Sequence, residues 1–230
     1  LPGTSCTDEN ACTTADTWSA GCACVGTPVP GPTMGTVGSN SPICVNGTLD
    51  LSSIATGIGT ITYSWLGPNS FGSILQNPSI INASVAATGT YTVTATNGCG
   101  TPGTATIQAF VNPQPAAIIS YDGSPYCSNG GTGSVTRTGT ANGSYSSTVG
   151  LTINSGTGSV TLGTSAAGTY TVTYTIAAGN GCTLLSTTAS ITINAAPNAG
   201  SNGTLALCSN SAAANLFSSL GGSPQAGGSW

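Results

Sequence analysis

The sequence predicts an all-β chain: tandem β-sandwiches preceded by a small disulfide-rich module. Three observations carry this. Cysteines recur at a fixed interval, with Cys44 and Cys99 lying 55 residues apart and Cys127 and Cys182 also 55 apart. The surrounding segments repeat: "SPICVNG" at 41–47, "SPYCSNG" at 124–130 and "LALCSNS" at 205–211 open three repeats. "GTYTVTATNGCG" at 89–100 and "GTYTVTYTIAAGNGC" at 168–182 close two of them. Apolar and polar residues alternate with period two, which is the strand signal, and no segment shows capped helical periodicity.

Residues 1–31 form a Cys-rich module with a proline linker. Cys6, Cys12, Cys22 and Cys24 crowd into a segment too small for a core, so it needs covalent staples. Two bridges among four cysteines allow three connectivities, of which the short Cys22–Cys24 closure is strained. "TPVPGP" at 27–32 reads as an extended linker. Residues 32–113 form the first sandwich. Leu49 and Leu51 share a face, as do Ile61, Tyr63 and Trp65, then Tyr91, Val93 and Ala95, then Ala105, Ile107, Ala109 and Val111. "NG", "GPNSFG" and "NGCG" supply the turns between them. Residues 114–195 repeat the scheme through Tyr170, Val172, Tyr174 and Ile176, then Ala189, Ile191 and Ile193. Residues 196–230 begin a third, incomplete repeat: Trp230 follows Cys208 by 22 residues, much as Trp65 follows Cys44 by 21. The chain thus reads as a window on a longer polypeptide or a unit completed by a neighbour, with Cys208 unpaired inside it.

Charge is almost absent. Of 230 residues 3% are charged, Arg137 is the single basic residue, and there are five acids. Average domains are about 25% charged. A lone Arg cannot neutralise a run of phosphates, which excludes nucleic acid, and it cannot dock the chain on anionic lipid. No apolar run approaches the ~20 residues of a spanning helix, which excludes direct membrane insertion. Nine cysteines at regular spacing imply an oxidising compartment. With no histidine and no C-x-x-C pair, disulfides outrank zinc.

Tyr91 and Tyr170 each follow a glycine-containing turn at the start of a strand, the place of the corner tyrosine in immunoglobulin-like sandwiches. Cys99 and Cys182 then fall in the turn of the last hairpin. Cys44 and Cys127 fall in the first strand, read as lying at the same end. The matched spacing predicts bridges Cys44–Cys99 and Cys127–Cys182, each closing a loop worth about 4 kcal/mol on a chain-entropy model.

"GTSCTDENACTTADTWSAGCACVGT" resembles the short Cys-rich repeat of very long secreted proteins of Bacteroidota, and "GTYTVTATNGC" resembles their immunoglobulin-like or PKD-like repeats. "LCSNSAAANLFSSLGGSPQAGGSW" is similar to the opening of another repeat of that group. The resemblance implies type IX export and a place in gliding-motility adhesins or other giant surface or filament proteins. This chain departs from the Cys-rich pattern at Glu9 and Ala11, where Gly and Pro are usual.

Candidate sites are few. Asp8, Glu9, Asn10 and Asp16 gather three of the acids near one turn and are the candidate calcium ligands, although no D-x-D-x-D-G spacing is present. Asp50 and Asp122 stand alone, and no His or Lys exists to activate a serine or threonine. No catalytic residue is assigned and no cofactor is expected. Trp18, Trp65, Phe71 and Phe110 are the aromatics that could stack on sugars, with Phe71 the best placed in a loop. Asn46, Asn82, Asn142 and Asn202 sit in N-x-S/T sequons. The sequence therefore reads as a non-enzymatic stalk in an extracellular or cell-surface adhesin or filament. Its partners are neighbouring repeats or adjacent copies. The alternative is a polysaccharide-binding module within such a protein.

Overall fold

The computed structural model describes residues 1–205 and 217–226, and it is all-β apart from short 3-10 turns. The expected role of Cys208 and the register of Trp230 lie outside the described residues. The chain divides into two compact units. One comprises Leu1–Pro115 with Ala177–Leu184, the other Ala116–Ile176 with Leu185–Trp230.

The first unit starts with an antiparallel hairpin of β1 (Thr13–Trp18) and β2 (Cys24–Pro28), with a bulge between Thr14 and Thr17. The N-terminal segment adds rungs to it, as Gly3 N–H donates to Trp18 O and Trp18 N–H to Thr4 O. Among residues 1–31 only Val29 is buried, so backbone hydrogen bonds and the Cys6–Cys24 bridge define this knot.

The sandwich that follows uses β3 (Thr33–Ser39), β4 (Ile43–Cys44), β5 (Leu49–Thr56), β6 (Thr62–Leu66), β7 (Gly72–Ser73), β8 (Ser79–Ile80), β9 (Gly89–Thr96), β10 (Gly103–Ala109) and β11 (Val111–Asn112). One sheet runs β3-β5-β8 and the other β10-β9-β6-β7, with β4 parallel to β11. Alternation decides which side chains go inside. In β5, Leu49, Leu51 and Ser53 are buried while Asp50 and Ser52 face solvent, and in β9 Tyr91, Val93 and Ala95 are all 0% exposed. Trp65 fills the centre, and its indole N–H donates to Gln76 O at 3.2 Å. Buried Ser53 is satisfied by the same loop: its hydroxyl donates to Gln76 O, its N–H donates to Asn77 Oδ1, and its carbonyl accepts from Gln76 Nε2. A buried polar group so paired costs little.

The second unit repeats the plan with β12 (Ala117–Ser120), β13 (Tyr126–Cys127), β14 (Thr132–Gly133), β15 (Thr136–Gly139), β16 (Ser144–Ser147), β17 (Val160–Thr161), β18 (Gly168–Ile176) and β19 (Leu185–Asn194). β13-β19-β18-β16 form the larger sheet, and β12-β15 and β14-β17 pair separately. Its core contains Ile119, Tyr121, Tyr145, Val160, Leu162, Tyr170, Val172, Tyr174, Ile191 and Ile193. Register exposes a size exchange between the repeats. Trp65 lies opposite Val93 in the first, and Ser147 lies opposite Val172 in the second. Ala95 in the first corresponds to Tyr174 in the second, each two positions beyond that valine. Tyr174 packs on Tyr145 with ring centroids 4.7 Å apart. Bulk has moved across the sheet, as volume-conserving cores allow.

The corner tyrosines hold in both repeats. Tyr91 Oη donates to Ala87 O at 2.7 Å, and Tyr170 Oη donates to Ala166 O at 2.8 Å. Downstream of β19, Asn198 ties the described part of 196–226 together, donating from Nδ2 to Gly222 O at 2.9 Å, while Ser201 bridges Gly221.

Candidate functional site: the Asn-Gly-Cys turns

β9 and β10 are joined by residues 97–102, which open with Asn97-Gly98-Cys99, and β18 and β19 are joined through a turn that contains Asn180-Gly181-Cys182. Both glycines have left-handed backbones, φ +80° at Gly98 and +78° at Gly181, a conformation open to Gly at no steric cost. Each turn closes on a cysteine of a preceding segment. Cys12 bridges Cys99 with Cα atoms 5.3 Å apart, and Cys44 bridges Cys182 at 4.7 Å. Cys6–Cys24, at 6.0 Å, closes the knot.

These bridges correct the expected pairing of Cys44 with Cys99 and of Cys127 with Cys182. The error lies in the direction of the short opening strand. β4 runs parallel to β11, with Cys44 opposite Asn112, so it sits beside the start of β9, where Gly89 pairs Ala109. Cys99 lies past the far end of β9. The eight residues of β9 at ~3.3 Å each separate the two ends by roughly 25 Å, whereas a disulfide needs Cα atoms within about 7 Å. The second repeat is built the same way: Cys127 pairs Asn194 beside the start of β18, and Cys182 follows its far end. Opening and turn cysteines occupy opposite poles of each sandwich. Two cysteines expected to be bridged are unpaired. Cys22 and Cys127 are free and exposed. The knot keeps one internal bridge rather than two, because Cys12 is taken by Cys99 and Cys22 sits in the β1–β2 turn at φ 62°.

Side chains around each bridge make a small socket. Asn97 Nδ2 donates to Pro30 O at 3.0 Å and to Ile58 O at 2.9 Å, and a side chain on Gly100 would run into the backbone of Pro30 and Gly31. At the other bridge, Asn112 Nδ2 donates to Asn180 O at 2.9 Å, and a side chain on Gly181 would strike the backbone of Pro42 and Ile43. Sequence reasoning missed Asn97, Asn112, Asn180 and the glycines. The Asn-Gly-Cys triplet common to both hairpin turns was the signal for Asn97, Asn180, Gly98 and Gly181, while Asn112 and Gly100 lie outside it.

The other candidates are placed as follows. Asp8 Oδ1 accepts from Asn10 N–H at 2.9 Å and from the Thr13 hydroxyl at 2.9 Å. The Asn10 backbone bond, and then the Thr13 hydroxyl, hold the Asp8 carboxyl below its usual range. Asp16 Oδ2 accepts from Asp8 N–H, while its buried Oδ1 has no partner. Glu9 is exposed at φ 59°, and Asn10 Oδ1 caps Cys12 N–H. Among the described residues no group of three His, Cys, Asp or Glu is disposed to hold a metal. Asp50 accepts from Ser79 and Asn40. Asp122 is lowered by the Thr136 and Ser120 hydroxyls. Of the aromatics, Trp65 is core, Phe71 packs edge-on to Tyr91 at 5.5 Å, and Trp18 and Phe110 are 40% and 49% exposed. Arg137, 5.8 Å above the Tyr174 ring, lines a hollow of about 330 Å³ with Asn142, Tyr145 and Thr157.

No family model and no curated protein matches the sequence. Among solved structures, the chain is similar to Sidekick-1 immunoglobulin domains 1–5, with TM-score 0.50 and 13% identity over 75% of this chain and 40% of that one. The fold is immunoglobulin-like. Sidekick-1 domains 1–4 match at TM-score 0.47 and 12% identity, covering 78% and 57% of the two chains. The first eight immunoglobulin domains of Down Syndrome Cell Adhesion Molecule match at 0.46 and 14%, covering 73% and 25%. The chain therefore spans about half or less of the length of these structures. No helix among the described residues is long and apolar enough to cross a membrane.

Proposed function

We propose that this chain is a non-enzymatic stalk segment of an extracellular or cell-surface adhesin or filament, organised as 1–31, 32–113, 114–195 and 196–230. Its repeats are stapled one to the next. The observation that carries this reading is the Cys44–Cys182 bridge, which joins the opening of one repeat to the hairpin turn of the following one. Disulfides of this kind persist in oxidising compartments, and the fold is that of tandem immunoglobulin domains such as those of Sidekick-1. The resemblance to type IX-exported, gliding-motility-adhesin-like proteins of Bacteroidota gives the class of parent protein. Partners are then neighbouring repeats or adjacent copies. Polysaccharide binding remains the second function to test, on glycan arrays, since Trp18 and Phe110 present exposed rings.

The stalk reading has a mechanical consequence. Cys6–Cys24 and Cys44–Cys182 take residues 7–23 and 45–181 out of the covalent load path. At ~3.5 Å per extended residue, those roughly 150 residues amount to about 500 Å of contour. Pulling the oxidised chain from its ends should give an unfolded length about 500 Å shorter than after reduction. Equal lengths in the two states would sink the reading.

A further inference from the structure

We propose that Cys127 is the docking point for the Asn-Gly-Cys turn of a following repeat of this kind, so that stapling continues forward along the array. This rests on the stalk reading and extends it to a site that is open in this chain.

Cys44 and Cys127 occupy the same place in their repeats. Each lies on a two-residue strand parallel to the last strand, opposite Asn112 and Asn194 respectively. Each is followed by a matching backbone bond, Val45 N–H to Asn112 O at 2.8 Å and Ser128 N–H to Asn194 O at 2.9 Å. In the first repeat this place is occupied. The Asn112 amide holds the Asn180 carbonyl, Gly181 lies on Pro42 and Ile43, Cys182 Sγ lies 3.5 Å from Pro113 O, and the sulfurs are joined. In the second repeat the same place presents an exposed thiol at Cys127 beside an exposed Asn194. The occupant follows from the pattern. Both turn cysteines in this chain reach back to the segment before their own repeat, Cys99 to Cys12 and Cys182 to Cys44. Advanced by one repeat, that rule assigns Cys127 to the next hairpin turn. Cys22 is also a free, exposed thiol but lies in the turn of the antiparallel β1–β2 hairpin, so it serves as an internal control.

The bond forms by thiol–disulfide exchange. The Cys127 thiolate attacks the turn cysteine held as a mixed disulfide with glutathione. The new S–S bond forms, and glutathione leaves as a thiolate that takes up a proton. From two free thiols, the two electrons and two protons go to glutathione disulfide, which becomes two thiols.

The test uses the full oxidised chain and a peptide of residues 174–187, carrying the Asn180-Gly181-Cys182 turn as its glutathione mixed disulfide. Non-reducing peptide mapping reads capture at Cys127 against Cys22. Capture at Cys127 should be about tenfold faster, the net worth of one hydrogen bond, with no preference for a scrambled peptide. Asn194→Ala should remove the preference. Equal capture at the two thiols overturns the proposal, as does a Cys127 already bridged within the chain, to Cys208 or any other cysteine. If capture fails while mapping confirms Cys44–Cys182, the open site is wrong and the stalk reading survives. If Cys44–Cys182 is itself absent, both fall.

Discussion

The knot of residues 1–31 and the sandwich that follows it are held together by different physics. The sandwich buries a cluster that includes Leu49, Leu51, Trp65, Tyr91, Val93 and Val111. The knot buries Val29 alone and carries its order in backbone hydrogen bonds and disulfides. Hydrophobic burial is cooperative and tolerates loss of a covalent link. A staple on a coreless segment acts by restricting the unfolded chain, and its removal leaves little behind. Two tryptophans make the contrast directly: Trp65 is 0% exposed and Trp18 is 40% exposed.

The largest expected effect follows from that pair. Trp65→Ala should cost the first sandwich about 3–5 kcal/mol, because it opens a cavity at the centre of the core and leaves Gln76 O without the indole donor. Trp18→Ala should stay within about 1 kcal/mol. Denaturant unfolding of both variants checks this, and comparable losses would erase the distinction between the regions.

Next in size is the knot staple. Replacing Cys6 and Cys24 together by serine removes closure of a segment 18 residues long, worth about 3 kcal/mol on the chain-entropy model. Hydrogen exchange should show the amides of Thr13–Trp18 losing protection while Tyr91 and Val93 keep theirs. Unchanged protection in the hairpin would mean that its backbone hydrogen bonds suffice.

The corner tyrosines give a smaller effect on the sandwich side. Tyr91→Phe leaves the Ala87 carbonyl without its donor, and Tyr170→Phe does the same to Ala166. Each should lose about 1 kcal/mol with the fold unchanged. A loss close to zero in both would show that water replaces the phenol.

The fold was legible because its signals are local. Alternation in β5 and β9 placed Leu49, Leu51, Tyr91, Val93 and Ala95 inside, and the tyrosine after a glycine turn marked the corner in both repeats. The disulfide connectivity was not legible. Equal 55-residue spacing is a property of any periodic array, whether its bridges stay inside a repeat or cross to the next. What decides is the parallel run of β4 along β11, two residues long and set by tertiary pairing. No propensity in "SPICVNG" reveals whether the strand runs with its neighbour or against it. The free thiol at Cys127 was hidden for the same reason.

The smallest expected effect is electrostatic, and it again separates the knot from the cores. In the knot, Asp8 accepts from Asn10 N–H and the Thr13 hydroxyl, and its pKa is lowered from the ordinary value of 3.8. A carboxyl depressed in the folded state stabilises it at pH values above the unfolded pKa, and that contribution fades as pH falls through the folded value. Protection of the β1–β2 hairpin, corrected for intrinsic exchange, should therefore be flat from pH 7 to about 5 and decline below about 4. Asp8→Asn should reduce that decline while leaving the Cys6–Cys24 bridge in place. Asp122 is lowered in the same way by Thr136 and Ser120, yet it lies at the surface of a sandwich whose core does not titrate in this range, so the second repeat should respond less than the knot. Both carboxyls are solvent-exposed and screened, which keeps the effect slight. A hairpin whose protection is constant down to pH 2, or an Asp8→Asn variant that keeps the full decline, would show that the Asp8 turn contributes nothing to the order of the knot.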